Sequence, residues 1–290
     1  LEYARRTFDR VQIHAVDLEY GGYYEMFEPD WKLSGPGASG GDRKTLDVHM
    51  HLMEAYTSLF QSTKEELHRR RLNEVIDLLT TRFFRPATGT GIAQLTREWK
   101  SAPQIKFDIV WGLDRFDDSG RKANPLDNTS YGHNIEFSWL LIDAFHALGT
   151  DVHREDDLIG RSFKHLRRYG IDRVHGGVYV EGAHAGPASD TAKEFWQQAE
   201  VMNGLLAAYL HWNDVAFLEE YGPLQHFVFD KMVSRDTGEW MPLLSRSGSP
   251  IWNHMGNSWK TSYHTLRATL RCLDHLRVIT EEKDEADIIR

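Results

Sequence analysis

Cysteine is almost absent from this chain, since Cys272 is the only one among 290 residues. A single thiol excludes an internal disulfide framework and is typical of a reducing compartment, so we expect a cytoplasmic protein. Long apolar runs are also missing, which predicts that no segment spans a membrane. The first residues, Leu1 to Arg6, have none of the features of a signal peptide.

Positive charge is in deficit as well. The 34 basic residues are outnumbered by 43 acidic ones, so the net charge is −9. This balance argues against a nucleic-acid partner. The glycine-rich stretch 35–41 lacks the Gly-Lys-Ser/Thr ending of a phosphate loop, and we therefore interpret it as a connection. Aromatic residues, in contrast, are plentiful and suit either sugar binding or a large helical core.

The most informative stretch runs from Thr129 to Phe145. From Ile135 onward it is apolar nearly all the way round, which predicts a buried helix. His133 and Glu136 lie three residues apart at its start and share a face. An imidazole kept neutral by a helix N-terminus, with a carboxylate beside it, suits a general base. The alternative is a structural histidine.

A second helix is predicted over 44–60. Asp47, His51 and Glu54 recur there at i, i+4 and i+7, which makes one polar stripe. His49 and His51 resemble a metal-binding pair, but residues two apart on a helix point in different directions. We therefore expect no metal site here. The sequence gives no sign of a nucleotide requirement either, and we expect no cofactor.

Two further helices begin with polar and aromatic residues. The helix over 193–212 carries Trp196 and Glu200 near its start, and the last long helix opens with Trp259, His264 and Arg267. Each tryptophan either stacks on a sugar or simply packs in the core. Between the first and second halves lies a long irregular segment, 84–128, which we expect to cross the rim of the fold.

The chain also repeats itself. Asp17 is followed by the pair Gly21-Gly22, Asp172 by Gly176-Gly177, and the segment from Asp236 to Trp240 is a weaker third copy. Apolar helices alternate with amphipathic ones. This pattern predicts one all-α domain over 1–290, a toroid of helical hairpins with short β-hairpins in its loops.

Four motifs in this order resemble the family of cellobiose 2-epimerases and N-acylglucosamine 2-epimerases. They are Lys44–Tyr56, Ser130–Glu136, Glu194–Glu200, and Trp259–His264 with Arg267. The last motif is more similar to the disaccharide epimerases. The resemblance implies an (α/α)6 barrel that inverts C2 of a reducing-end aldose through an enediolate, without a cofactor.

The resemblance also implies the roles of individual residues. His133 and His264 would be the two acid/base groups, and Glu136 would orient the ring of His133. The substrate-binding residues implied by the family are Tyr131, Asp47, His51, Trp196, Glu200, Trp259 and Arg267. The expected partner is a small sugar, and the expected state is a monomer or a homodimer.

Some features depart from the family. The chain lacks a match for the opening helices and for a substrate-contacting arginine that they carry, so we expect a ring that is incomplete at the N-terminus. Asp47 and Asn134 stand where the disaccharide epimerases tend to have Asn and Asp.

Several functions remain open at this point. The first alternatives are an aldose–ketose isomerase of the same family and an N-acylglucosamine 2-epimerase. Others are an inactive sugar-binding remnant and a glycoside hydrolase, in which Glu136 and Glu200 would serve as the carboxylate pair.

Overall fold

The computed structural model describes residues 1–102, 128–252, 255–256 and 260–288. Helices dominate it and the strands are short, as predicted. The helices are α1 (Glu2–His14), α2 (Leu46–Thr63), α3 (Glu66–Leu78), α4 (Tyr131–Leu148), α5 (Asp156–His165), α6 (Phe195–Trp212), α7 (Ala216–Phe227) and α8 (Tyr263–Ile288). A single 3₁₀ turn is described at Gly37–Ser39.

Contacts divide the described residues into two compact units. The first contains 1–102, 128–129 and 140–165, and the second contains 130–139 and the described part of 166–288. Each unit is considered by itself below. The single domain over 1–290 stays a prediction.

The strands are two or three residues long. They are β1 (Arg43–Thr45), β2 (Phe84–Arg85), β3 (Thr90–Gly91), β4 (Gln94–Thr96), β5 (Asn128–Ser130), β6 (Glu181–Ala183), β7 (Ala188–Asp190), β8 (Lys193–Glu194), β9 (Leu243–Leu244) and β10 (Pro250–Trp252). In the first unit β1 pairs with β4 and β2 with β3, all antiparallel. In the second, β6 pairs with β7, and β9 lies between β8 and β10. The predicted short hairpins are thus present, including within the described part of 84–128.

Local sequence explains where the apolar helices begin. The hydroxyl of Thr45 accepts a hydrogen bond from the backbone N–H of Val48, which caps α2. The hydroxyl of Ser130 does the same for the N–H of His133 at the start of α4. Helix α6 is buried along thirteen of its residues, from Phe195 to Ala208. These helices therefore present polar entrances and apolar bodies.

Three of the amphipathic helices end in one π-helical turn. These segments are Leu79–Phe83 after α3, Leu166–Gly170 after α5 and Val228–Met232 after α7. Single π-turns of this kind are rare in proteins. Their recurrence at the same place supports the internal repeat that the sequence predicts.

The turns that contain the glycine pairs share one geometry. In the first, the N–H of Gly21 donates to the carbonyl of Asp17, and the N–H of Asp17 donates to the carbonyl of Gly22, both at 2.9 Å. Both glycines have φ of +75°, in the left-handed region. A side chain at Gly22 would also meet Trp99, whose ring is 2.6 Å from the place of its Cβ.

The third copy of this turn, predicted over Asp236–Trp240, is present and begins two residues earlier. The N–H of Gly238 donates to Ser234 and the N–H of Ser234 donates to Glu239, each at 2.8 Å. Ser234 therefore takes the place of the aspartate, and Glu239 takes the place of the second glycine.

None of the helices in the described ranges is both long enough and apolar enough to cross a bilayer.

Candidate active site

The start of α4 is held by α6. The side-chain oxygen of Gln197 accepts the backbone N–H of Gly132 at 2.9 Å, and the hydroxyl of Ser130 lies 3.4 Å from the same oxygen. Glycine is required here, because a Cβ on Gly132 would lie 2.6 Å from Gln197 Cγ. This contact places His133 in the first turn of α4, next to α6.

Trp196 is close to both of the predicted acid/base histidines. The centre of its ring is 4.5 Å from the imidazole of His133 and 5.5 Å from that of His264. Both imidazoles are tilted by 39° to the indole plane. The structure therefore brings the three predicted site residues of α4, α6 and α8 into one cluster.

His264 is oriented by a buried carboxylate. Its Nδ1 lies 2.7 Å from Oε1 of Glu200, whose side chain is fully buried. The indole N–H of Trp139 donates to the other oxygen of Glu200 at 3.2 Å. No hydrogen bond to Nε2 of His264 is made within the described part of the chain, and this side chain is one-fifth exposed. Nε2 is thus open to a ligand.

Arg267 joins two buried carboxylates. Its Nη2 donates to Glu136 at 2.5 Å and to Glu200 at 2.8 Å. The guanidinium also lies over the rings of Trp139 and Tyr263, with its carbon 4.9 and 4.2 Å from their centres. A charge-assisted pair held between aromatic faces is well ordered.

The pKa of Glu200 reflects these partners. Burial alone would raise it, but the hydrogen bonds and charges of His264 and Arg267 outweigh burial and lower the pKa below its usual range. Glu200 is therefore a carboxylate that can hold one tautomer of His264 and stabilise the imidazolium that forms when Nε2 takes a proton.

Glu136, Glu200 and His264 are close enough to one another to hold a metal ion. The guanidinium of Arg267 already supplies a positive charge between the two carboxylates. A divalent cation would have to displace it. The donor set is thus better matched to an internal ion-pair network than to a metal.

Tyr131 is placed differently from the other members of the predicted set. Its side chain is completely buried. The ring packs so closely on Gly170 that a Cβ there would lie 2.7 Å from it, and a Cβ on Gly182 would lie 2.4 Å from the hydroxyl oxygen. Its described contacts are those of a core residue.

Asp47 and His51 lie on α2, in the first unit. The imidazole of His51 lies between two carboxylates, with Nε2 3.4 Å from Asp47 and Nδ1 3.1 Å from Glu54. One-third of both the Asp47 and the His51 side chain is exposed. The predicted polar stripe is therefore present and accessible. Trp259 lies outside the described residues.

Sequence reasoning gave no role to two residues that build this site. Trp139 holds the second oxygen of Glu200 and supports Arg267, and Gln197 holds the entrance of α4. The signal for Gln197 was a polar residue within a helix that is otherwise buried. For Trp139 the sequence offered none, because an indole in an apolar helix is typical of any core.

Comparison with known proteins gives a consistent result. The profile of the N-acylglucosamine 2-epimerase (GlcNAc 2-epimerase) family matches residues 1–268. Cellobiose 2-epimerase of Bacteroides fragilis is 27% identical over 281 residues, which is 94% of this chain and 65% of that protein. D-mannose isomerase of Marinomonas mediterranea is 22% identical, over 94% of this chain and 64% of that protein.

The fold agrees with solved structures. Cellobiose 2-epimerase from Bacillus thermoamylovorans superposes with a TM-score of 0.79 at 23% identity, over 94% of this chain and 65% of that one. This likeness confirms the expected (α/α)6-barrel type of fold. The chain thus spans slightly less than two-thirds of the length of these relatives. From the match over residues 1–268, the chain belongs to the N-acylglucosamine 2-epimerase family.

Proposed function

We propose that this chain carries the acid/base centre of a sugar 2-epimerase, which inverts C2 of a reducing-end aldose such as that of cellobiose or mannobiose. The observation that carries the proposal is the pair of histidines whose rings both approach Trp196, one of them with Nδ1 on a buried carboxylate and Nε2 open. Its membership of the family supports it.

In this reaction one histidine removes the proton from C2 of the open-chain sugar. The electrons of the C2–H bond form the C1–C2 double bond of an enediolate, and the carbonyl oxygen takes up negative charge. The other histidine then donates a proton to the opposite face of C2. Which of His133 and His264 acts first depends on the epimer that enters.

The surrounding residues have supporting roles in this proposal. Glu200 holds the ring of His264, and Arg267 fixes Glu200 and Glu136 relative to each other. Trp196 offers an indole face for a sugar. The roles of Asp47 and His51 as hydroxyl ligands stay predictions that rest on the family resemblance alone. The sequence analysis had assigned Glu136 to His133, and that orientation stays a prediction.

An aldose–ketose isomerase is the second candidate, because D-mannose isomerase is among the relatives. It needs the same proton removal at C2 but returns the proton to C1. The same two histidines would serve both reactions.

The hydrolase alternative fits the geometry less well. A glycoside hydrolase needs one carboxyl group with a raised pKa to protonate the leaving group. Glu136 and Glu200 both accept hydrogen bonds from Arg267, and the pKa of Glu200 is lowered. Cofactor independence, a cytoplasmic location and a monomeric or homodimeric state stay predictions.

Proton NMR in heavy water tests the proposal. The full chain would be incubated with cellobiose, mannobiose, mannose and N-acetylglucosamine, with heat-unfolded protein as the control. We expect deuterium at C2 together with the accumulating epimer of one disaccharide. A ketose labelled at C1 would favour the isomerase. If N-acetylglucosamine alone were labelled, the disaccharide assignment would be wrong. Binding without label would indicate a non-catalytic sugar-binding protein.

A further inference from the structure

A buried lysine precedes three of the helices. Lys44 and Lys193 lie two residues before α2 and α6, and Lys260 lies three residues before α8. The first two are completely buried and Lys260 is 6% exposed. A buried ammonium group is costly unless it is paired, so each lysine needs a carboxylate.

The first two lysines use the aspartate that opens a glycine-pair turn. Lys44 Nζ lies 3.0 Å from Asp17, and Lys193 Nζ lies 3.2 Å from Asp172. The second carboxylate oxygen of each aspartate accepts backbone N–H groups of its own turn. Lysine, turn and helix start are therefore tied together in the same way in both units.

In the third copy the lysine also pairs with a carboxylate, but from a different position in the turn. Ser234 stands where the aspartate would be, and it offers no charge. Instead, Lys260 Nζ donates to the carboxylate of Glu239 at 2.8 Å. Glu239 occupies the place of the second glycine and also accepts the N–H of Trp240 at 2.7 Å. The carboxylate has moved along the turn while the lysine has kept its place.

The place of the lysine coincides with the register of the site. Seven residues after Lys44, Lys193 and Lys260 stand His51, Glu200 and Arg267. Because each helix begins two or three residues after its lysine, all three side chains lie in the second turn of their helix. Lys260 itself lies four residues before His264 and seven before Arg267.

Further contacts connect Lys260 with the ring of His264. Its Nζ also donates to the carbonyl of Met255 at 2.8 Å and lies 5.1 Å from the centre of the Phe195 ring. The same Phe195 ring meets the imidazole of His264 edge-on, with 6.2 Å between centres. Lys260 therefore joins the turn, the loop before α8 and the first residue of α6.

We propose that Lys260, through its ion pair with Glu239, is a positioning residue that sets the start of α8 and so holds the ring of His264 on Glu200. The functional part of this inference rests on the proposed epimerase activity. Because the role is geometric, it predicts a loss in kcat with little change in KM, and a change at His264 that is measurable without sugar.

The test moves the carboxylate partner of Lys260 from its position in the third turn to the position that it has in the other two. Glu239→Gly removes the carboxylate, and Ser234→Asp with Glu239→Gly restores it where Asp17 and Asp172 have it. Glu239→Gln keeps the shape and loses the charge. Lys231→Met is the matched control, because Lys231 is half-exposed and pairs with Asp230. For each variant we would measure kcat, KM, Tm and the imidazole ¹⁵N shifts of His264.

We expect Glu239→Gly and Glu239→Gln to lower kcat about tenfold or more and to weaken the Nδ1–H signature of His264, with KM within about twofold. The double variant should recover both, and Lys231→Met should change neither. A folded Glu239→Gln protein with normal kcat and normal His264 shifts would overturn the inference. So would a folded double variant that recovers neither. If the wild-type chain exchanges no C2 proton, the epimerase proposal fails. The ¹⁵N shifts of His264 still test the positioning role of Lys260 in that case.

Discussion

Two histidines near helix entrances show how the surroundings of a ring separate a structural role from a chemical one. His49 is the fourth residue of α2, and His264 is the second residue of α8. His49 is completely buried in the first unit, while the side chain of His264 is one-fifth exposed in the second.

Their hydrogen bonds differ accordingly. Nδ1 of His49 lies 2.7 Å from the carbonyl oxygen of Thr45, and its Nε2 accepts the N–H of Tyr23 at 3.1 Å. Both ring nitrogens are thus used by the backbone, and burial lowers the pKa of His49 to about 4. His264 gives one nitrogen to a carboxylate and keeps the other open. The partners, more than the residue type, decide whether a histidine can act as a base.

The largest effect is expected on replacing a catalytic histidine. His264→Asn or His133→Asn should lower kcat for epimerisation by about 10²- to 10⁴-fold, because one of the two proton transfers is lost. Each variant should still exchange the C2 proton of one epimer with heavy water, and the two variants should differ in which epimer that is. NMR of both epimers measures this. His175→Asn, on an exposed turn, is the control. Equal exchange of both epimers by either variant would contradict the two-base assignment.

A smaller loss is expected for Glu200→Gln. Its amide can still accept a hydrogen bond from His264 but no longer stabilises the imidazolium, so kcat should fall by about 10²-fold. Glu220→Gln, which alters an ion pair of α7 with Arg167 and Arg173, is the matched control. If kcat were unchanged, Glu200 would not orient a catalytic ring.

The same variant has a predicted effect on acid stability. Since the pKa of Glu200 is lowered in the folded state, its contribution to the free energy of unfolding is complete above the unfolded pKa of 4.5 and is lost as the pH falls through the lower folded value. Urea unfolding of Glu200→Gln should therefore show a flatter decline below pH 4.5 than the wild type.

His49→Phe should affect stability more than catalysis. It leaves the N–H of Tyr23 and the carbonyl of Thr45 without their side-chain partner, at a cost of about 1–3 kcal/mol for each group. The folded pKa of His49, about 4, is below the usual 6.5. The contribution of His49 to the free energy of unfolding is therefore complete above pH 6.5 and is lost as the pH falls to 4. The variant should lack that slope in thermal unfolding. A large loss of kcat in the folded variant would place His49 in the catalytic machinery.

The smallest effect concerns Glu25, which accepts the hydroxyl of Thr45 at 2.6 Å. Burial raises the pKa of Glu25 to about 7. Between pH 4.5 and 7 the folded state binds more protons than the unfolded chain, so the wild type loses stability as the pH rises through this window. Glu25→Gln should raise Tm at pH 8 by about 2 °C and leave it unchanged at pH 4. A lower Tm at pH 8 would contradict the assigned direction.

Much of the fold followed from local patterns. The apolar helices, the amphipathic helices and the glycine-pair turns were predicted because period and turn chemistry are local properties. The start of α4 followed as well, since His133 and Glu136 were expected in its first turn and the helix begins at Tyr131. The contact of Gln197 with the N–H of Gly132 did not follow, because it comes from another helix. A single sequence does not report such a contact.

The candidate site divides in the same way. The sequence named the residues at each helix start, because polar side chains stand out against apolar helices. The only pair it named was His133 with Glu136, which are neighbours on one helix. Glu200 was interpreted as a ligand of sugar hydroxyls. In the structure it forms hydrogen bonds with His264 and Arg267, which lie 64 and 67 residues further along the chain. Its distance from these residues depends on how helices pack.

The sequence by itself thus determined the family, the helical pattern and the residues available for chemistry, since these depend on composition, period and motif order. The tertiary structure alone decided which carboxylate orients which histidine, that Arg267 joins Glu136 to Glu200, and that Lys260 pairs with Glu239. The physical reason is that a buried charge requires a partner, and only helix packing decides which partner lies within hydrogen-bonding distance.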